Sequence, residues 1–128
     1  MKTFFDSLAN EKYISLQTIR KNGSTVSTPV WFVLKENKLF IRSSADSGKI
    51  KRIRNNNNVK ISICNMKGNI RGHNYDAKAN FEKNLDYQEI NSLFDKKYGI
   101  LSFLLKIFYK IKKIKLTILS ITINSNSE

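Results

Sequence analysis

The sequence predicts a mainly β domain, a small antiparallel β-barrel with helical inserts. Three observations predict it. Six segments rich in β-branched and aromatic residues recur at short spacing between turn residues. Helical periodicity is confined to inserts among them, without the strand and helix alternation of a doubly wound sheet. A length of 128 residues suits one ordinary domain. Residues 1–128 are therefore read as a single unit, with 1–12 as an N-terminal segment and 124–128 as a frayed polar tail.

Residues 13–19 alternate as a half-buried strand, with Ile14, Leu16 and Thr18 on one face. Asn22-Gly23 then signals a tight primed turn, because both of its central positions need positive φ. Residues 25–34 return antiparallel as one strand, Val26, Thr28, Val30, Phe32 and Leu34 facing one way and Trp31 and Val33 the other. Pro29 donates no ladder hydrogen bond and marks an edge or a bulge. After a turn at residues 36–38, residues 39–43 form the third strand.

Asp46 or Ser47 caps a short helix that runs through Asn55, its buried stripe made by Ile50 and Ile53 and its basic side chains in solvent. Residues 59–64 and 70–81 are the fourth and fifth strands. A helix from Asp86 to Lys97 ends at Tyr98-Gly99. A second, basic helix covers residues 100–113, packing its apolar stripe on the barrel while its lysines reach water. Residues 116–123 close the barrel.

The chain carries 23 Lys+Arg against 10 Asp+Glu, a net charge of +13, and 41% hydrophobic residues. That hydrophobic content supports a packed core and argues against disorder. A single Cys64 excludes an internal disulfide and fits a reducing cytosol. No targeting segment opens the sequence, so a cytoplasmic protein is expected. Residues 100–115 are interrupted by Lys106, Lys110, Lys112 and Lys113, which rules out a transmembrane span but allows peripheral membrane contact through residues 106–115.

Candidate catalytic groups are few. His73 is the only histidine and no second His or Cys stands at metal-ligand spacing, so no metal site is expected. Cys64 reads as a small hydrophobe. Gly-x-Ser-x-Gly, Walker and Gly-x-Gly-x-x-Gly fingerprints are absent. One segment, IRSSADSGKIKRIR from Ile41 to Arg54, brings hydroxyls from Ser43, Ser44 and Ser47, the amides of a first helical turn and the Lys49 ammonium toward one anion. A capped, solvated surface helix is the competing reading of the same residues. Trp31 suits a planar ligand, a dimer interface or core packing.

The order YISLQTIRKNGSTVSTPVWFVL, then LFIRSSADSGKIKRIRNNNNVKISICNMKGNIRG, then Lys97, Tyr98 and Gly99 resembles the pyridoxamine 5'-phosphate oxidase-like split β-barrel superfamily. Within it, the sequence is most similar to the F420-dependent oxidoreductases. The Ser-Gly-Lys-x-Lys-Arg-x-Arg element at Ser47 to Arg54 is the most specific part. The resemblance implies a six-stranded antiparallel FMN-binding split barrel that dimerises around its cofactor, coenzyme F420 or alternatively FMN. By position it implies that Thr28, Pro29, Val30 and Trp31 border the ring system, that Ser43, Ser44, Ser47 and Lys49 hold the phosphate, and that Arg71 approaches from the next strand.

Asn56-Asn57 stands where the family commonly has Asn-Pro. The chain ends after its last strand, so vitamin B6 oxidation, which the resemblance ties to a C-terminal extension, is not expected. The function implied is hydride transfer between the cofactor and a small organic acceptor, with no side chain as obligatory proton donor. The rivals are a non-catalytic cofactor- or haem-binding split barrel and a basic nucleic-acid-binding barrel. The latter predicts aromatics interleaved with basic residues, and residues 49–54 contain none, so no nucleic-acid partner is expected.

Overall fold

The structure is a computed structural model and describes residues 4–123. The predicted tail at 124–128 lies outside the described residues. Seven strands form one antiparallel sheet in the order β2-β1-β5-β6-β7-β4-β3: β1 (Ile14–Ile19), β2 (Thr25–Val30), β3 (Val33–Lys35), β4 (Lys38–Ser44), β5 (Asn58–Ile63), β6 (Tyr75–Asn80) and β7 (Leu116–Ile123). The helices are α1 (Phe4–Leu8), α2 (Gly48–Asn55), α3 (Tyr87–Tyr98) and α4 (Ile100–Ile111). The mainly β antiparallel architecture agrees with the sequence, but the strand count is seven rather than six.

The extra strand arises because residues 25–34 are not one ladder. Between β2 and β3 the backbone of Phe32 turns to α3 instead of to a neighbouring strand. Phe32 N–H donates to the Tyr98 hydroxyl at 2.9 Å, and the Lys97 ammonium donates to Phe32 C=O at 3.0 Å. Tyr98 Oη also lies within donating distance of Phe32 C=O (3.0 Å) and Lys12 C=O (2.9 Å). The break leaves β2 and β3 as the two edges of the sheet, with Pro29 on edge strand β2, where its missing N–H costs no ladder bond.

The turns also differ from expectation. Ile19 pairs with Thr25 across a five-residue loop in which only Gly23 has positive φ (+89°). Gly23 N–H donates to Arg20 C=O, and Asn22 Oδ1 accepts from Ser24 N–H instead of occupying a primed-turn position. The primed geometry appears at the next hairpin. Glu36 (φ 51°) and Asn37 (φ 61°) join Lys35 to its cross-strand partner Lys38. The fifth predicted strand is shorter too. Ile70 makes a single bridge to Cys64, and the ladder begins only at Tyr75.

Alternation along the strands separates two cores. Ile14, Leu16, Phe32, Leu39, Ile41, Val59, Ile61, Leu119 and Ile121 fill the barrel, and Ile50 and Ile53 of α2 join them there. On the other face, Val33, Phe40 and Ile118 pack beneath Ile90, Phe94 and Tyr98 of α3, a stripe at four-residue spacing. Asp86 caps α3 by accepting from Glu89 N–H, and Gly99 (φ 65°) ends it. Where a proline stop is missing after α2, Asn56 Oδ1 accepts from Asn58 N–H and turns the chain into β5.

The break at Phe32 has a pH signature. Burial pulls the Lys97 ammonium down to about 8 from the ordinary lysine value of 10.5. Between those values the unfolded chain binds more protons than the folded one, so stability rises with pH. Above about 10 the sign reverses, because burial holds the Tyr98 proton on while an unfolded tyrosine releases its own. Lys97 is partly exposed, so solvent screening limits the rise between pH 8 and 10 to about 1 kcal/mol. Urea melts across that range are expected to show the rise in wild type and its loss in Lys97→Met.

Candidate functional site

The end of β4, the start of α2 and the end of β2 meet over α3 and α4 in one cleft of about 220 Å³. Its walls are Pro29, Val30, Trp31, Ser43 and Lys49, together with Arg42, Phe94, Leu105 and Tyr109. Five of the nine residues selected from sequence thus converge. Ser47 joins them through its hydroxyl, 3.2 Å from that of Ser43. Thr28 pairs with Leu16 one alternation further along β2, and Ser44 Oγ accepts from Asp46 N–H, so both stand beside the cleft and not in its wall. Arg71 lies across β1 and β5, its guanidinium on Glu11 and its N–H on Ile63 C=O.

Each feature of the cradle follows from local structure. Ser47 is the N-cap of α2 in extended conformation, yet its side chain makes no capping bond and turns to Ser43. The stripe that buries Ile50 and Ile53 leaves Lys49 on the rim, half buried, with no hydrogen-bond or carboxylate partner among the described residues. Burial, reinforced by Arg52 nearby, holds the Lys49 ammonium below the ordinary lysine range. Arg52 itself is engaged, its Nε donating to Thr18 Oγ1 at 2.6 Å. A partly desolvated cation beside two hydroxyls has the chemistry an anion would need.

The aromatic wall is rigid. Trp31 stacks on Tyr98 with centroids 4.2 Å apart and planes 5° from parallel, and Tyr98 stacks in turn near Phe94 at 6.0 Å. Arg42 lies over the Phe94 ring at 4.5 Å, donating to Asn91 Oδ1 (2.8 Å) and Ser102 Oγ (3.2 Å). Ser102 passes the contact to Asp95, which also accepts from Lys106 at 2.6 Å, and the Lys106 bond holds the Asp95 carboxyl below the usual carboxylate range. This chain of contacts fastens α4 to α3 and to the barrel. Sequence reading missed Arg42, Phe94, Leu105 and Tyr109. Arg42 carried one signal, since it shares a strand face with Phe40, but the others reach the cleft only through helix packing.

His73 is exposed, and no cluster of three His, Cys, Asp or Glu side chains able to hold a metal ion occurs among the described residues. Cys64 is buried, and burial pushes its thiol up, away from nucleophilic reactivity.

A seven-stranded antiparallel sheet with open edges and helix α2 packed into its core is the architecture of the split β-barrel class. Its solved neighbours share that architecture at low identity. HutZ, the haem storage protein of Vibrio cholerae, aligns at a TM-score of 0.68 and 14% identity over 90% of this chain and 83% of its own. An F420 reductase aligns at 0.59 and 15% over 98% and 97%, and a FAD-binding protein from Mesorhizobium loti at 0.62 and 16% over 92% and 83%. None of the curated proteins matches the sequence. The family model for pyridoxamine 5'-phosphate oxidase matches residues 1–124, and the chain belongs to that family.

Proposed function

We propose that this protein is a cytoplasmic, homodimeric flavin- or deazaflavin-dependent oxidoreductase, with coenzyme F420 as first choice and FMN as second. The observation that carries the reading is the unpaired Lys49 ammonium beside the Ser43 and Ser47 hydroxyls, facing the same cleft as Trp31. These residues fit a phosphorylated tricyclic cofactor. Lys49, Ser43 and Ser47 hold its phosphate, Trp31, Pro29 and Val30 border its ring, and Thr28, Ser44 and Arg71 stand further out. When bound, such a cofactor supplies hydride transfer at its own ring, and the protein's task is to bind, orient and exclude water.

A haem-storage neighbour makes cofactor choice the decisive question. Tyr109 is the only cleft-lining side chain of a kind that ligates haem iron, since no His, Cys or Met lines the wall. The cleft, about 220 Å³, is smaller than the roughly 300–1,000 Å³ of a complete small-molecule pocket, which supports a second copy completing it. Fluorescence titration of the purified protein with F420 and with FMN, alongside absorbance titration with haem, tests the reading. Saturable flavin or deazaflavin binding that depends on Lys49 is expected. Haem binding alone, with neither of the other two bound, overturns it.

A further inference from the structure

Helix α4 shows two unlike faces. Ser102, Leu105 and Tyr109 turn toward the fold, where Ser102 is fully buried and the other two line the cleft. Opposite them, Ile100, Leu104, Ile107 and Ile111 recur at four- and three-residue spacing as one stripe, flanked by Leu101 and Phe108. All six are exposed, Ile100 and Ile111 to 72% and 73%. The expectation that this helix lays its apolar stripe on the barrel is therefore wrong. The barrel is already sealed by its own core and by α3, and the Arg42–Ser102–Asp95–Lys106 contacts hold α4 by its polar face.

Charge identifies what covers the stripe. Lys110, Lys112, Lys113 and Lys115 cluster at the C-terminal end of α4, and none has a carboxylate partner among the described residues. From Lys96 through Ser127 the sequence holds no Asp or Glu at all. A second copy docking through α4 would set these lysines against lysines with no acid from the same segment to offset them. An anionic lipid surface meets both halves of the pattern, taking the apolar stripe among its acyl chains and the lysines at its headgroups. At 12 residues α4 is about 18 Å long, and no helix among the described residues is long and apolar enough to cross a membrane. A helix of this kind would lie in the interface plane and not span the membrane.

We propose that α4 docks this protein on anionic membrane surfaces. Flotation of the full chain with phosphatidylcholine vesicles, with and without phosphatidylserine, tests it. Binding is expected only when phosphatidylserine is present and is expected to weaken with added salt. Each lysine at such a surface is worth roughly fivefold, so Lys112→Gln/Lys113→Gln should bind roughly twenty-fivefold more weakly. Leu104→Asp/Ile107→Asp alters only exposed positions and should abolish flotation while leaving the thermal melt and the cofactor titration unchanged. Absence of flotation, equal binding to neutral vesicles, or loss of an oligomer in Leu104→Asp/Ile107→Asp when the wild type ignores both vesicles would each overturn the assignment.

Discussion

Tyr98→Phe is expected to lower the stability of the fold by about 1 to 3 kcal/mol, a larger loss than removal of one oxygen atom suggests. The ring itself is retained, so its stacking on Trp31 and Phe94 and its packing volume survive the change. What goes is the acceptor for Phe32 N–H, and Phe32 is fully buried. A buried donor left without a partner costs about 1 to 3 kcal/mol. Phe32 C=O keeps the Lys97 ammonium, and Lys12 is exposed enough for water to replace the hydroxyl, so the loss centres on that single N–H. Urea denaturation should show a lower midpoint with an unchanged slope. Tyr87→Phe, at an exposed position, should stay within about 0.5 kcal/mol of wild type. A Tyr98→Phe protein as stable as the Tyr87→Phe control would show that the β2–β3 break is held by packing alone.

That same break shows why some of the fold was legible in sequence and some was not. Period-two alternation located β1 and β5, turn-bounded and β-branched runs located β4 and β7, and the helical stripe of α2 assigned Ile50 and Ile53 to the core, because each signal is local. Residues 25–34 also keep their alternation throughout, with Phe32 in the barrel and Trp31 and Val33 against α3. The interruption comes from Tyr98 and Lys97, more than sixty residues away, and no local pattern encodes it. The primed turn was sought at Asn22-Gly23 and stands at Glu36-Asn37, where strand register, not residue preference, sets the two-residue loop.

The grouping of Ser43, Ser47 and Lys49 was legible for the opposite reason. Ser43, Ser47 and Lys49 are close in sequence and lie on one strand-to-helix connection, so their convergence is a local matter. Arg42, Phe94, Leu105 and Tyr109 belong to three separate elements and are gathered only by tertiary packing. Helix α4 misled because an amphipathic pattern states that a face must be covered without stating by what.

Lys49→Ala is expected to weaken F420 or FMN binding tenfold to a hundredfold, equivalent to about 1.5 to 3 kcal/mol for one charge-assisted contact. Its effect on stability should be near zero or slightly favourable. This ammonium has no partner among the described residues, is partly desolvated and is repelled by Arg52, so its removal breaks no contact there. Arg52→Ala should behave in the reverse manner, destabilising the fold through loss of the Thr18 contact while changing affinity little. The opposed pair separates a ligand-binding cation from a structural one better than either variant alone. A pH series adds a third readout. Because burial already lowers the Lys49 ammonium, wild-type affinity should fall as pH rises and begin to do so below the ordinary lysine value, whereas Lys49→Ala should show no such decline. If Lys49→Ala binds both cofactors as tightly as wild type, the phosphate is held elsewhere and the start of α2 is only a solvated helix terminus.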